Sequence, residues 1–472
     1  MKDSTKQGSP IAAIGLDLPG AARTELALAA IGLLERLDAQ RRRSPIFTVT
    51  PAERIDAMRL PPPEEAASTA AVFAALEAAA ACGWNKAHPG DLAYIPSGGV
   101  FSGSIAALLA AGIHAYTGAS AESPALIALE ESVLGWLAGI LGLPAESEGI
   151  LLSGGSVANQ TAIVCARSRN YCPERSRVYL SERTHHSLHK ALRLSGVPDD
   201  CVCSTRARGV GGWDVEALHR QIVEDIRVGR SPWLVVATAG STDTGAVDDL
   251  GALAALRDRY GFWLHVDAAY GGMFALTERG ATALRGIERA DSITVDAHKG
   301  LSLPYGVGAL LVRHAGILAE AHSGRGAYLR DVPRLPGLPH YFERGPELTR
   351  PFRGLLVWLP LHLHGVRAFR DFLNRSLDLA RAAASQLRSV RGIIVPVDPD
   401  LSVVVFRAAS GDDTTTAMLT AINDTGRLHL SSTTLDGRTH IRMAFLSPAT
   451  SEVELAAVLE SVAATLHGAA VQ

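Results

Sequence analysis

Four groups of side chains in this 472-residue chain have types and spacings that could do chemistry. One is Lys299, in Asp296-Ala297-His298-Lys299-Gly300, directly after the apolar run 293–295. A lysine amine there could attack an aldehyde, helped by desolvation, where an arginine would supply charge but no imine, or it could be only a surface lysine after the strand. Asp267 closes the apolar run Trp263–Asp267. A carboxylate at the end of a buried strand either caps the next turn or meets a cation. His185, in Arg183-Thr184-His185-His186-Ser187, could stack on a planar ligand or merely hydrogen-bond within its loop. In Leu151-Leu152-Ser153-Gly154-Gly155-Ser156-Val157-Ala158-Asn159 a strand ends, two glycines turn the chain and a helix begins. The first N–H groups and the positive end of such a helix suit a phosphate, although Gly-Gly-Ser turns also occur with no ligand.

These groups need a frame. The runs 149–152, 177–181, 234–238, 263–267, 292–295 and 309–313 read as buried strands, with helical patterns over 157–169, 215–228 and 250–259 between them. That alternation predicts a largely parallel sheet covered by helices, with its chemistry at the carboxyl ends of the strands. Residues 320–350 are rich in glycine and proline and read as a long mobile loop. Helices are expected from about Phe352 and from about Phe369 to Val390. Strands near 402–407, 428–431 and 439–445 and a helix from Glu452 then make a small α+β domain. Near the start, Leu26, Ala30, Leu33, Leu34 and Leu37 stripe one face of a helix, after a disordered or extended lead over 1–20.

Composition narrows the classes. Hydrophobic residues make up 47% of the chain and charged residues 20%, which supports a large core and excludes global disorder. A net charge of −3 with no basic tail argues against nucleic acid as a partner. Only five residues are lysine (Lys2, Lys6, Lys86, Lys190 and Lys299), the remaining 40 basic residues being arginine. Codon bias accounts for the scarcity, and Lys299 alone follows a buried strand. Five scattered cysteines fit a reducing cytoplasm. No apolar leader with a cleavage site opens the chain, and no apolar stretch is long enough for a membrane span. His185, His186 and His189 lack the acidic or cysteine partner that would complete a metal site, so no metal is expected.

Taken in chain order, a phosphate turn, a histidine, a carboxylate and a lysine resemble the pyridoxal-phosphate enzymes of the aspartate-aminotransferase-like fold. Asp296-Ala297-His298-Lys299 resembles the Asn-Pro-His-Lys motif of the group II pyridoxal-dependent amino-acid decarboxylases, the aromatic-L-amino-acid, glutamate and diaminobutyrate enzymes. His88-Pro89, Tyr94-Ile95-Pro96, Ser123-Pro124-Ala125, Ala327-Tyr328-Leu329, Phe352-Arg353-Gly354 and the stretch 431–442 extend the resemblance from about residue 20 to the end.

The resemblance implies an α/β, type I fold in three parts: an N-terminal helical segment over 1–100 that wraps a partner subunit, a large cofactor domain over 101–375 and a small C-terminal domain over 376–472. It implies pyridoxal 5′-phosphate held on Lys299 as an imine, with Asp267 against the pyridinium nitrogen and His185 stacked on the ring. Ser156, Val157, Ala158, Thr242, Ala269 and His298 would complete the cofactor site, and Tyr94, Pro96 and Ser97 would meet the substrate. Asp296 replaces the usual asparagine beside the phosphate. Tyr328, on the long loop, would protonate the substrate carbon once carbon dioxide has left. The implied reaction is decarboxylation of an L-amino acid to its amine through an external aldimine and a quinonoid. Its rivals are decarboxylation with oxidative deamination to an aldehyde, in which the loop tyrosine is commonly lost, and a catalytically silent homologue. Arg442 sits where aminotransferases bind a carboxylate but also occurs in decarboxylases. A homodimer with shared active sites is expected. Asp91 is expected at the surface, with a cationic substrate as its other conceivable partner.

Overall fold

Uninterrupted apolar runs are stable as strands only when both faces of their sheet are covered. The structure, a computed structural model, describes residues 16, 18–41, 43–95, 98–207, 209, 211–324, 326, 329 and 331–469. In it the apolar runs become strands β1 (Glu148–Leu152), β2 (Ser176–Ser181), β3 (Val202–Thr205), β4 (Ser231–Thr238), β5 (Trp263–Asp267), β6 (Ser292–Val295) and β7 (Gly308–Val312) of one seven-stranded sheet. Their order is β1-β7-β6-β5-β4-β2-β3. The sheet is parallel except at β7, which runs antiparallel to both its neighbours. Every residue of β5, β6 and β7 is buried.

Five helices precede the sheet: α1 (Gly20–Arg41), α2 (Ala52–Met58), α3 (Thr69–Ala80), α4 (Phe101–Ile113) and α5 (Pro124–Ile140). Those between the strands are α6 (Gly155–Arg167), α7 (His186–Leu194), α8 (Val215–Arg227) and α9 (Leu250–Tyr260). The Asp214 carboxylate accepts from Ala217 N at 2.9 Å to cap α8, and Asp249 does the same for α9 through Ala252 N at 2.9 Å. Such caps contribute about 1 kcal/mol each and fix where a helix leaves its strand.

The long helix α10 (Gly354–Ser389) is two helices joined at Gly365, whose φ of 74° and ψ of 149° break the helical path. Both expected helices are therefore present, abutted. Beyond them β8 (Ile393–Ile394), β9 (Val403–Ala408), β10 (Ser431–Leu435) and β11 (Arg438–Ala444) form an antiparallel sheet in the order β8-β9-β11-β10, with its own apolar core around Phe406, Met443 and Phe445. The strand expected over 428–431 instead begins at Ser431. Edge strand β3 was not expected, because its half-polar sequence carries no apolar run.

Of the stretch 320–350, expected as a mobile loop, residues 320–322 belong to the helix Ile317–His322 and residues 338–350 are anchored. Tyr341 is fully buried, and the His340 ring accepts from Ser120 N at 3.0 Å. Arg350 makes a bidentate ion pair with Glu130, one arm at 3.1 Å, with both side chains wholly excluded from solvent. Removing one partner of such a pair costs about 3–5 kcal/mol.

Candidate active site

A cavity of about 310 Å³ opens at the carboxyl ends of the central strands. Its wall gathers Ser156, Val157, His185, Thr242, Asp267, Ala269, His298 and Lys299, residues spread over more than 140 positions of sequence. Ala158 is not on that wall: it is fully buried on the inner face of α6, and only its backbone takes part, donating to Gly154 O at 3.1 Å. Tyr94 is 60% exposed and does not line the cavity. Pro96, Ser97 and Tyr328 lie outside the described residues.

The turn from β1 into α6 fixes one end of the cavity. Gly154 has φ 152° and ψ 179°, a region open only to glycine, and a methyl group there would come within 3.1 Å of the His298 ring. The N–H groups of Gly155 and Ser156, at the first positions of α6, have no intrahelical acceptor and face the cavity at the positive end of a 13-residue helix.

The middle of the cavity is organised around Asp267. Alternation along β5 puts Trp263, His265 and Asp267 on one face, and a chain of hydrogen bonds joins them. Trp263 Nε1 donates to Ser292 Oγ at 2.8 Å, and Ser292 lies 2.8 Å from His265 Nδ1. His265 Nε2 meets Asn159 Oδ1 at 3.1 Å, and Asn159 Nδ2 donates to Asp267 Oδ2 at 2.9 Å. Because the Asn159 oxygen only accepts, His265 carries its proton on Nε2 and accepts from Ser292 on Nδ1. Burial pushes the His265 pKa down to about 4, in keeping with this neutral ring. Asp267 Oδ1 accepts from Ala269 N at 3.1 Å, so both oxygens are held and the carboxylate is aimed into the cavity. Asn159 Nδ2 also reaches Ser187 Oγ at 3.3 Å, which lies 2.8 Å from His185 Nδ1, tying the histidine to the same network. Burial lowers the His185 pKa, against the pull of the Asp267 charge.

Lys299 sits in the short helix Ala297–Gly300 that follows β6. Its side chain is 28% exposed, and its Nζ lies 3.1 Å from Asp296 Oδ2. Asp296 is 2% exposed, and its Oδ1 has no hydrogen-bond partner. Among the other lysines described, Lys190 is exposed on α7 and Lys86 lies 3.4 Å from Asp91.

Asp91 is not at the surface. It is 1% exposed, and the His429 ring meets it at 2.7 Å, joining the N-terminal segment to the small domain. With Lys86 on its other side it is no free anion for a cationic substrate. Arg442, 3% exposed, makes one hydrogen bond, to Ser431 Oγ at 3.1 Å, while its Nε and Nη2 have no partner. Burial lowers its pKa, against the pull of Tyr270, Asp243 and Tyr94.

Asn159, His265 and Arg183 escaped the sequence reading. Asn159 stands in the quoted turn motif, four residues after Gly155, and His265 stands two before Asp267, so period and spacing could have flagged both. Arg183 opens the quoted His185 motif and lines the cavity with a buried, unpartnered Nε.

The residues present fit pyridoxal phosphate. Unpaired N–H groups at a helix start suit its phosphate, a fully hydrogen-bonded carboxylate suits its ring nitrogen, and a lysine amine reaches the same space. Comparison with known proteins agrees. The profile of the pyridoxal-dependent decarboxylase conserved domain matches residues 51–409. An aromatic-L-amino-acid decarboxylase of Bacillus atrophaeus is 34% identical over 388 residues, 80% of this chain and 81% of that protein. An L-2,4-diaminobutyrate decarboxylase of Rhizobium meliloti (strain 1021) is 32% identical over 355 residues, 73% of this chain and 71% of that protein. The crystal structure of Oryza sativa TDC with PLP and tryptamine superposes with a TM-score of 0.89 at 24% identity, covering 96% of this chain and 99% of that one, a likeness of fold.

Proposed function

The chain belongs to the pyridoxal-dependent decarboxylase family, and from that premise we propose how its own residues carry the reaction. It is a pyridoxal-phosphate-dependent carboxy-lyase that converts an L-amino acid to an amine and carbon dioxide. The observation that carries the residue roles is the convergence of the α6 turn, Asp267 and Lys299 on one cavity, with Asp267 held at both oxygens.

Lys299 Nζ would hold the cofactor, and its amine, once free, would serve as a local base or acid. Asp267 keeps a proton on the ring nitrogen. Bound there, pyridoxal phosphate supplies an electron sink for the pair left at Cα when carbon dioxide departs. His185 covers the ring face, the free N–H groups of Gly155 and Ser156 take the phosphate, and Val157, Thr242, Ala269 and His298 close the wall. Tyr94, which does not line this chain's own cavity, is assigned with Pro96 and Ser97 to the substrate side of a site shared across a dimer. Arg442, buried with two unused donor atoms, is suited to an anion such as the substrate carboxylate. The final proton to Cα is assigned to Tyr328, which lies outside the described residues.

We also assign the chain to a homodimer with shared active sites. Phe101, Leu108, Leu109 and Ile113 leave α4 with a broadly exposed apolar face just after the Tyr94–Ser97 segment, which supports that arrangement. The three-part division at residues 100 and 375 follows the same assignment. Among the described residues no helix is long and apolar enough to cross a membrane, and the five free cysteines favour the cytoplasm. The test of function is a panel of L-amino acids assayed for amine, carbon dioxide and peroxide. Amine and carbon dioxide in equal amounts without peroxide are expected, and stoichiometric peroxide with aldehyde would overturn the amine product.

A further inference from the structure

Asp296 has been given no task, and its surroundings are unusual for an anion beside a phosphate site. The carboxylate lies under the turn that opens α6. A methyl group on Gly155 would come within 3.0 Å of its Oδ2, and one on Gly308 within 2.3 Å of its Oδ1. Glycines at both positions leave the carboxylate its room. Its Oδ2 is 3.1 Å from Lys299 Nζ and 3.7 Å from His298 Nε2. Its Oδ1 is buried with no partner.

The positive groups around Asp296 are thus Lys299 and the α6 N-terminus, and that helix end is also what draws a phosphate to this end of the cavity. We propose that Asp296 is a built-in anionic competitor for the cofactor phosphate, a residue that sets how tightly and how selectively the phosphorylated aldehyde is held. In the cofactor-free protein its carboxylate is the counter-ion of the Lys299 ammonium. When a phosphate arrives the two anions share the N–H groups of the α6 N-terminus, and part of the attraction is lost to their repulsion. A neutral amide of the same shape would leave those groups to the phosphate and could donate a hydrogen bond as well. This role rests on reading the Gly154–Val157 turn as the phosphate site.

The test measures binding to the cofactor-free full-length protein for the wild type, Asp296→Asn and Asp296→Glu, using pyridoxal phosphate, unphosphorylated pyridoxal and inorganic phosphate. Asp296→Asn is expected to bind pyridoxal phosphate tenfold or more tightly than the wild type does. Inorganic phosphate should compete at a concentration lower by a similar factor, the gain for pyridoxal should be at least threefold smaller, and Asp296→Glu should bind no more tightly than the wild type. Asp296→Ser, which also removes the charge, stands in if the asparagine variant does not fold. A folded neutral variant that binds phosphate and pyridoxal phosphate no tighter, or gains equally for pyridoxal, overturns the proposal. If the wild type itself shows no competition by phosphate and no preference for the phosphorylated aldehyde, the turn is not the phosphate site, and the underlying reading falls with the proposal.

Discussion

Asp267 closes β5, and Asp296 follows β6, its neighbour in the sheet. Both are buried, at 7% and 2% exposure, yet their oxygens are treated differently. Each oxygen of Asp267 accepts a hydrogen bond from a rigid donor, and behind one donor stands a relay through His265 and Ser292 to Trp263. Asp296 has one oxygen on the mobile end of a lysine and the other on nothing. A carboxylate fixed at every atom is organised in advance for one charge state and one partner. A carboxylate left half-satisfied is placed to exchange partners. The two therefore should answer to mutation in opposite ways.

Neutralising Asp267 is the sharpest way to break the contrast. Asp267→Asn should lower kcat by about 10²–10³-fold, because the ring nitrogen loses the charge that holds its proton, whereas Asp296→Asn should keep the fold and tighten the cofactor. A steady-state assay beside a binding titration checks both, and similar losses of activity in the two variants would erase the distinction.

Removing the support behind Asp267 should have a smaller effect. Asn159→Ala strands the buried Asp267 Oδ2 and the His265 Nε2–H together and should cost about 1–3 kcal/mol of stability. Thermal unfolding reads that loss, and kcat should fall by about tenfold with little change in KM as the carboxylate loses its aim. Unchanged stability and kcat would show that Asp267 needs no relay.

A further contrast is a dependence of stability on pH, which leaves activity at neutral pH untouched. The His265 pKa lies near 4 in the folded protein, below its usual value of about 6.5. Above pH 6.5 the ring is neutral folded or unfolded and costs nothing. As pH falls from 6.5 towards 4 the unfolded chain takes up a proton that the folded protein refuses, so stability declines across that window and this contribution stops changing below it. His265→Gln, which retains an N–H for Asn159, should flatten that part of the stability profile. An identical profile would place the acid sensitivity elsewhere.

The sequence showed one of these aspartates more clearly than the other, and the reason is physical. Strand ends are marked by local apolar runs, so β5, β6 and the residues just beyond them were found to within a residue or two, and with them Asp267 and Lys299. The Gly154-Gly155 turn is likewise local, since it needs a backbone conformation that only glycine adopts. Hydrogen-bond partners are not local. Asn159 and Asp267 are 108 positions apart, and their pairing depends on α6 packing against β5. The reversal of β7 was equally hidden, because an apolar run carries no direction. That Ala158 turns away from the cavity was hidden because a turn motif leaves open which side chains turn inward. Asp91 was misplaced because its partner His429 comes from a different part of the chain.

The central claim is that Lys299, alone among five lysines, carries the cofactor. Lys299→Arg keeps the charge and should lower activity by on the order of 10³-fold or more. The most direct measurement fixes the cofactor on the wild-type protein with borohydride and locates the added pyridoxyl phosphate group by peptide mass spectrometry. The account predicts that mass on the peptide containing Lys299 and its absence from the Lys299→Arg protein. A label on Lys86 or Lys190, or on no lysine at all in an active preparation, would contradict it.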